Sequence, residues 1–192
     1  NKKVPFSESD PIEKTISPYA ATKVAGEHLC TVYSHLYHIQ CVALRFFTVY
    51  GPGQRPDLAI HKFFKKIWQG DPIQQFGNGT TRRDYTYVDD IVQGILKALD
   101  YSQPGFEVFN LGESQTIELA TLIQHIESAL GKKANIEQLP EQPGDVPITY
   151  ADISKAKEKL GYDPQTKIED GLRLFADWFT ETYAEHSKLS EI

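Results

Sequence analysis

The sequence predicts an α/β fold, and three observations support this class. Stretches with apolar residues at three- and four-residue steps, typical of amphipathic helices, alternate with single short apolar stretches typical of buried strands. This alternation continues along the chain instead of separating into a helical and a stranded part. Only a few strands are available, too few for a complete doubly wound sheet. The 192 residues therefore predict a part of a larger α/β fold.

The first half of the chain opens with a polar, loop-like segment over 1–16. Ser17 is a typical N-cap and Pro18 a typical first helical residue, so a helix should begin there. Gly70 is a typical helix stop. The predicted elements are a helix over 18–38, a buried strand over 41–47, a loop over 48–57, and a helix capped by Asp57 that runs to Trp68.

The second half repeats the alternation with shorter elements. Its turn and stop signals are glycines, and the pattern TKIE at 166–169 is typical of a capping box. The predicted elements are short strands in IQQF and RDYTY around the turn GNG, a helix in DDIVQGILKALD, a strand in FEVFNLG, a helix from Thr116 to Gly131, a strand near Ile136, a loop over 139–147, a helix from Ser154 to Gly161, and a final helix from TKIE.

The composition excludes several classes of protein. The chain is 40% hydrophobic with a net charge of −6, which argues against a sequence-independent nucleic-acid surface. No apolar run approaches the ~20 residues that span a bilayer, and no secretory signal is present. The chain does not begin with Met, which leaves an upstream segment open. Two cysteines without a CxxC pattern favour a reducing, cytoplasmic location. We predict no nucleic-acid or membrane partner.

Histidines cluster near one cysteine, which raises the question of a metal site. His28 precedes Cys30, and His35 and His38 follow it. Their spacing fits no zinc pattern, and surface or half-buried histidines on a long helix explain them better. We therefore predict no metal.

The stretch SPYAATKVAGEHL places Tyr19 and Lys23 four residues apart on the predicted helix. Residues at this spacing share one face of a helix. A cationic neighbour favours the phenolate form and lowers the pKa of a tyrosine, and a lysine also has donors for ribose hydroxyls. The pair therefore has the properties of a tyrosine acid–base catalyst. On its spacing alone, a chance pairing is the favoured interpretation.

The wider context resolves that ambiguity. After SPYAATKVAGEHL come ALRFFTVYGPGQRPD, RRDYTYVDDIVQGI, FNLGES, QPGDVPITYADISKA and LGYDP. In this order the segments resemble the extended short-chain dehydrogenase/reductase superfamily, and within it the NAD-dependent nucleotide-sugar 4-epimerases. The UDP-glucuronate 4-epimerases are the most similar group.

This resemblance implies a fold and a division into domains. The chain is expected to form the C-terminal half of a Rossmann-like doubly wound fold, plus a small α/β substrate-binding domain. Residues 1–58 would belong to the NAD-binding domain, with 88–111 returning to it. Residues 59–87 and 112–192 would form the nucleotide-sugar domain.

The resemblance also implies roles for residues in the first third of the chain. Tyr19 would be the acid–base at the sugar 4-hydroxyl, and Lys23 would bind the nicotinamide ribose of NAD. Phe46 would pack against the cofactor and Thr48 would meet the substrate. Arg55 would face the sugar carboxylate, a task that suits its planar fork, although an exposed loop cation is an equally simple interpretation.

Three later residues match nucleotide-binding positions of the family. Phe76 would contact uridine, Arg83 the diphosphate, and Asp145 a nucleotide ribose hydroxyl. Many relatives carry an arginine where this chain has Gln142, so one diphosphate charge is missing here.

The chain departs from the family at its beginning. The glycine-rich turn that holds the NAD pyrophosphate is expected before the catalytic helix, but no GxxGxxG occurs in the 192 residues. The upstream hydroxyl residue of the catalytic set would precede Asn1. We therefore expect the parent protein to be an NAD enzyme and this chain alone to lack NAD affinity and turnover.

Several functions remain open at this point. A nucleotide-sugar 4,6-dehydratase or a UDP-glucuronate decarboxylase shares the first oxidation with an epimerase. A redox-inactive nucleotide-sugar binding or assembly module is an alternative of another class, although retention of Tyr19 and Lys23 argues against it. The helix over 18–38 carries an apolar stripe, namely Leu29, Val32 and Leu36. The resemblance implies that this stripe forms a homodimer, and packing within one subunit is the alternative.

Overall fold

The structure, a computed structural model, describes residues 3–12, 14–140 and 146–189. Helices and strands alternate, as predicted. The helices are α1 (Pro18–Tyr37), α2 (Ala59–Gln69), α3 (Val88–Leu99), α4 (Leu119–Leu130), α5 (Ser154–Leu160) and α6 (Ile168–Leu189). The strands are β1 (Cys41–Phe46), β2 (Thr48–Tyr50), β3 (Pro72–Phe76), β4 (Arg82–Arg83), β5 (Tyr85–Tyr87), β6 (Phe106–Leu111), β7 (Ile117–Glu118) and β8 (Asn135–Leu139).

The strands pair across long sequence distances. β1 pairs in parallel with β6, β2 with β5, and β3 with β8, while β4 and β7 form a short antiparallel pair. Thr48 lies opposite Tyr85 in the β2–β5 pair. Parallel pairs need crossover connections, which the intervening helices supply. The pairing brings the strand that carries Thr48 alongside the segment that carries Arg83.

Two apolar clusters form the core of the described chain. The larger one is rich in aromatic residues and joins α2, α4 and α6 to the strands β2, β3 and β5; its fully buried members include Tyr50, Phe64, Phe175 and Phe179. The smaller one joins β6 to α3 and to the segment 151–162. Phe47, between β1 and β2, packs against this second cluster.

Several predicted helix ends match the structure. The Ser17 hydroxyl accepts a hydrogen bond from the Ala20 amide at 3.1 Å, which caps α1. Gly70, Gly131 and Gly161 follow α2, α4 and α5 in the left-handed conformation that glycine adopts without strain. These signals depend on residues next to each other in sequence, so the sequence alone reveals them.

Four local predictions are wrong. The segment 48–57, predicted as a loop, begins with the strand β2, because Thr48–Tyr50 pairs with β5. Asp57 does not cap α2; Leu58 is the N-cap, and the Gln54 side-chain oxygen accepts from the His61 amide at 3.2 Å. The strands beside GNG do not pair with each other, since β3 pairs with β8 and β4 with β7. The helix predicted from Thr116 begins at Leu119, after β7.

Candidate functional site

The Tyr19–Lys23 pair lies on one face of the first turns of α1. The Lys23 ammonium is positioned over the Tyr19 ring, 5.2 Å from its centroid. The Tyr19 side chain is 71% exposed, so its hydroxyl is open to a ligand. The i, i+4 spacing therefore produces the predicted contact between a cation and a phenol.

An ion pair one turn further along fixes this helix to the sheet. Arg45, in β1, donates from Nε and Nη2 to the two carboxylate oxygens of Glu27, both at 2.7 Å. The two side chains are 27% and 22% exposed. The Arg45 guanidinium lowers the pKa of Glu27 below its usual range. This bidentate pair is the most specific polar contact between α1 and β1 in the described chain.

The end of β1 presents two of the predicted residues. Phe46 is half exposed, which leaves one side of its ring available to a ligand. Thr48 follows in β2, and its amide donates to the Asp84 carbonyl at 3.2 Å. Tyr19, Lys23, Phe46 and Thr48 therefore belong to elements that the Arg45–Glu27 pair and the β1–β2 connection hold together.

Arg55 lies in the loop between β2 and α2, where its fork already has a partner. Its Nε and Nη2 donate to the Asp57 carboxylate at 3.0 and 2.8 Å. Both side chains are largely exposed, and the guanidinium lowers the pKa of Asp57. A ligand carboxylate at Arg55 would have to replace the carboxylate of Asp57.

A cavity of about 390 Å³ lies between α2, β3 and the strands β4 and β5. We call it the α2 cavity. It brings together the predicted residues Phe76 and Arg83 with residues that the sequence analysis missed. Its lining is Asp57, Ala59, Lys62, Phe63, Lys66, Gln74, Phe76, Thr81, Arg83, Tyr85, Ile117 and Leu119.

Charge and aromatic rings give the α2 cavity its chemistry. Three cations, Lys62, Lys66 and Arg83, line it against one carboxylate, Asp57. Phe63, Phe76 and Tyr85 contribute ring surface. Such a lining suits a ligand that combines negative charge with a flat, partly apolar group.

The helix α2 separates this cavity from the core. Ile60, His61, Phe64 and Ile67 are buried on one face. Ala59, Lys62, Phe63 and Lys66 line the cavity on another. The spacing of this second set, 59, 62, 63 and 66, is a helical stripe, and the sequence could have revealed it. The Lys66 ammonium also donates to the Pro72 carbonyl at 2.8 Å, which places its charge at the edge of β3.

Asp84 positions Arg83 and Tyr85. Its carboxylate is fully buried and accepts hydrogen bonds from the amides of Glu113, Ser114 and Ala151 at 2.8, 3.2 and 3.0 Å. Burial raises the pKa of Asp84, and the three amides act against that change. This acid joins the β4–β5 segment to the chain after β6. This role was not predicted from the sequence, although an acid within the predicted strand RDYTY was the available signal.

A second cavity, of about 360 Å³, shares Tyr85 and Ile117 with the first. Glu113 lines it, and its Oε2 is buried with no hydrogen-bond partner among the described residues. Burial, followed by the charges of Asp90 and Asp84, raises the pKa of Glu113 to about 7.

Two residues at predicted nucleotide-binding positions, Asp145 and Gln142, lie outside the described residues. Within the described ranges, no three His, Cys, Asp or Glu side chains are grouped as a metal site would require. The helices of those ranges include none that is long and apolar enough to cross a bilayer.

Comparison with known proteins places this architecture in a family. Residues 1–175 match the model of the GDP-mannose 4,6 dehydratase family. The chain therefore belongs to this family, the nucleotide-sugar epimerases and dehydratases of the extended short-chain dehydrogenase/reductase superfamily. The predicted resemblance is confirmed at this level.

Individual relatives are consistent with that assignment. An uncharacterized protein of Methanocaldococcus jannaschii is 49% identical, over 94% of this chain and 55% of its own length. A UDP-glucuronate 4-epimerase of Thermodesulfobacterium geofontis is 43% identical, over 92% of this chain and 54% of its own length. The chain thus spans little more than half the length of these relatives.

Solved structures confirm the fold class. The UDP-glucuronic acid 4-epimerase of Bacillus cereus, in complex with UDP-glucuronic acid and NAD, is 40% identical with a TM-score of 0.86, over 95% of this chain and 59% of that one. A UDP-N-acetylglucosamine 4-epimerase of Methanobrevibacter ruminantium, in complex with UDP-N-acetylmuramic acid, is 29% identical with a TM-score of 0.88. The predicted α/β class with a Rossmann-like part is therefore correct.

Proposed function

We propose that the chain supplies the catalytic helix and the substrate-binding part of an NAD-dependent UDP-hexose 4-epimerase, with UDP-glucuronate as the substrate. The observation that carries this proposal is the presence, in one chain, of the Tyr19–Lys23 pair and a cavity lined by cations and rings. Relatives and neighbours named as UDP-glucuronate 4-epimerases support the same substrate.

In the proposed reaction, the residues of α1 carry the proton. Tyr19 takes the proton of the sugar 4-hydroxyl as C4 is oxidised, and returns it after the 4-keto sugar has turned over. When bound, NAD supplies the acceptor and donor of the C4 hydride. Lys23 has three donors and lies over the Tyr19 ring, so it suits the nicotinamide ribose hydroxyls. The half-exposed Phe46 offers a ring surface for the cofactor.

The nucleotide would occupy the α2 cavity. Arg83 suits the diphosphate because its guanidinium can bind phosphate oxygens with two donors. Lys62 and Lys66 line the same cavity and would add positive charge there, in place of the arginine that the family resemblance implies at the position of Gln142. Phe76 would contact the uridine. Thr48 as a sugar contact and Asp145 as a ribose contact remain predictions.

The same proposal includes the division of the chain and its assembly. Residues 1–58 and 88–111 would belong to the cofactor domain, and 59–87 and 112–192 to the substrate domain. Leu29, Val32 and Leu36 are each about half exposed or more, which supports a homodimer through α1. Light scattering of the whole protein should give a dimer mass, and a monomer mass would contradict the proposal. A cytoplasmic location remains a prediction.

Arg55 provides the test of the substrate. In the whole enzyme, Arg55→Ala should remove a charge-assisted contact with the glucuronate carboxylate, a loss of roughly 1.5–3 kcal/mol or about 10- to 150-fold in kcat/KM. UDP-glucose has no carboxylate, so its turnover should change little. Steady-state kinetics with both substrates separate this result from general damage to the loop, which would lower both values equally.

Asp57 offers a matched variant with the opposite expected effect. Asp57→Asn removes the carboxylate that occupies the Arg55 fork. The KM for UDP-glucuronate should therefore fall by a few-fold more than the KM for UDP-glucose, on the order of the strength of an exposed ion pair. Because Asp57 also lines the α2 cavity, a smaller decrease common to both substrates is expected as well. A wild-type enzyme that prefers UDP-glucose or UDP-N-acetylglucosamine would contradict the glucuronate assignment and leave the epimerase class intact.

A further inference from the structure

The inference concerns His61, a buried histidine outside the residues assigned so far. It lies on the core face of α2 and is 5% exposed. Its ring packs edge-on against three aromatic residues of α6, with centroids 5.8 Å from Phe175, 5.7 Å from Trp178 and 5.7 Å from Phe179. Edge-to-face packing of this kind favours a flat ring at this position.

The two ring nitrogens of His61 have different surroundings. Nδ1 lies 2.7 Å from the Gln54 carbonyl oxygen. A carbonyl only accepts, so Nδ1 carries the proton and donates. Nε2 is buried and has no hydrogen-bond partner among the described residues. A phenylalanine would pack in the same aromatic environment without a buried, unpaired nitrogen, so the histidine needs another explanation.

That explanation is the bond to Gln54. The Gln54 amide donates to the Gly51 carbonyl at 3.1 Å, and its side-chain nitrogen donates to the Val49 carbonyl at 2.9 Å. Its side-chain oxygen accepts from the His61 amide at 3.2 Å. Gln54 thus joins the end of β2, the turn at Gly51 and the start of α2, and His61 holds it by two hydrogen bonds.

The next residue in the chain is Arg55. Its carbonyl accepts from the Leu58 amide at 3.2 Å, so its backbone is fixed on both sides. We propose that His61 is a positioning residue for Arg55: it anchors the 51–58 loop to the aromatic core and thereby determines selection of a sugar carboxylate. This inference rests on the proposed role of Arg55 in substrate binding.

Two substitutions in the whole enzyme separate the donor from the ring. His61→Phe keeps the ring packing and removes the donor to Gln54. His61→Asn removes the ring and retains an amide donor near the position of Nδ1. With His61→Phe, kcat/KM for UDP-glucuronate should fall by about five-fold or more, as expected for one lost hydrogen bond, while UDP-glucose changes by less than about two-fold. His61→Asn should keep the wild-type ratio of the kcat/KM values for UDP-glucuronate and UDP-glucose, although loss of the ring from the core should lower its melting temperature.

Two kinetic outcomes would overturn the inference. An equal loss with both substrates for His61→Phe would indicate a merely structural role. A substrate ratio in His61→Asn as altered as in His61→Phe would show that the ring, and not the donor, matters. If His61→Phe does not fold, His61→Leu replaces it. Leucine and asparagine both lack the ring and only asparagine keeps a donor, so equal substrate ratios in these two variants would reject the role of the donor.

Hydrogen exchange provides a readout that does not depend on activity. In His61→Phe, amides of the 51–58 loop should exchange faster than in the wild type, while β6, which belongs to the other core cluster, provides the control region. Unchanged exchange in the loop would refute the positioning role whatever the substrate is. Faster exchange together with a wild-type preference for UDP-glucose would refute the glucuronate proposal and retain the anchoring of the loop.

Discussion

The helices α1 and α2 both contribute to the candidate site, but the chain holds them in different ways. α2 buries four residues against an aromatic core and lines the α2 cavity with its other face. α1 is nearly twice as long and is described over its whole length, yet Ser34 is its one buried residue. The proposed nucleotide side of the site is therefore built into the core of this chain. The position of the proposed catalytic pair, Tyr19 and Lys23, depends on a few specific contacts.

This difference predicts that the two regions have separate roles in the proposed enzyme, one in substrate binding and one in the chemical step. Residues of the α2 cavity should contribute mainly to binding, because their surroundings are formed before a ligand arrives. Residues of α1 should contribute mainly to the chemical step, because Tyr19 carries the proton in the proposed reaction. Substitutions in the two regions should therefore change different kinetic constants, and the predictions below test this contrast.

The largest expected effect is that of Tyr19→Phe in the whole enzyme. The substitution removes the proton carrier and leaves the α2 cavity intact, so kcat should fall by ~10²-fold or more while the KM for the UDP-sugar changes little. Tyr33→Phe is a matched control on the same exposed helix and should have no effect. Epimerisation by Tyr19→Phe within tenfold of the wild type would remove Tyr19 from the mechanism.

The next effect concerns the Glu27–Arg45 pair, which joins α1 to β1. Glu27→Gln, Arg45→Met and the double variant form a double-mutant cycle for stability. We expect a coupling free energy of about 1–2 kcal/mol, since the pair is bidentate but only partly buried. Urea unfolding measures it. The more exposed pair Arg173–Asp170 is the matched control and should couple by less than about 0.5 kcal/mol.

The outcome of this cycle bears directly on the comparison of the two helices. A coupling as small as that of the control pair would mean that α1 does not depend on this contact. In that case apolar contacts of α1 would have to hold the proposed catalytic pair in place, and α1 and α2 would both be held by apolar packing.

Sequence reasoning predicted the local features of the fold and missed those that depend on distant partners. Ser17 as an N-cap is visible from adjacent residues. The strands β2 and β7 are only three and two residues long, and they exist because of partners more than 30 residues away. Short segments of this kind carry too little periodicity to predict.

The candidate site follows the same rule. Phe76 and Arg83 were predicted because motif resemblance carries information about tertiary structure, and both line the α2 cavity. Lys62 and Lys66 were missed, although their spacing on a helix was visible, because the sequence does not show which face of α2 borders a cavity. His61 was missed because only the packing of α6 reveals its buried, unpaired nitrogen. The predicted partner of Arg55 was a substrate carboxylate, and the structure places Asp57 there.

The last expected effect is a difference in pH dependence between the two regions. Glu113, beside the cavity region, has a pKa raised to about 7 by burial and by the charges of Asp90 and Asp84. A carboxyl whose pKa is higher in the folded than in the unfolded chain stabilises the protein at pH values below its pKa in the unfolded chain. This contribution is lost as the pH rises towards its pKa in the folded chain. Glu27, on α1, has a lowered pKa because of Arg45. Its contribution is present above its unfolded pKa and is lost as the pH falls.

The variants Glu113→Gln and Glu27→Gln should therefore change the pH dependence of the free energy of unfolding in opposite directions. Between pH 5 and pH 8 the free energy of unfolding of the wild type should fall by about 1–2 kcal/mol more than that of Glu113→Gln. This value is smaller than the full pKa shift of Glu113 implies, because the side chain is partly exposed. Below pH 5, Glu27→Gln should lose less stability than the wild type. Urea unfolding across this pH range measures both, with the exposed Glu137→Gln as the control. Parallel pH profiles for wild type and Glu113→Gln would show that this carboxyl is hydrated, and that the cavity side of the site is less enclosed than its geometry indicates.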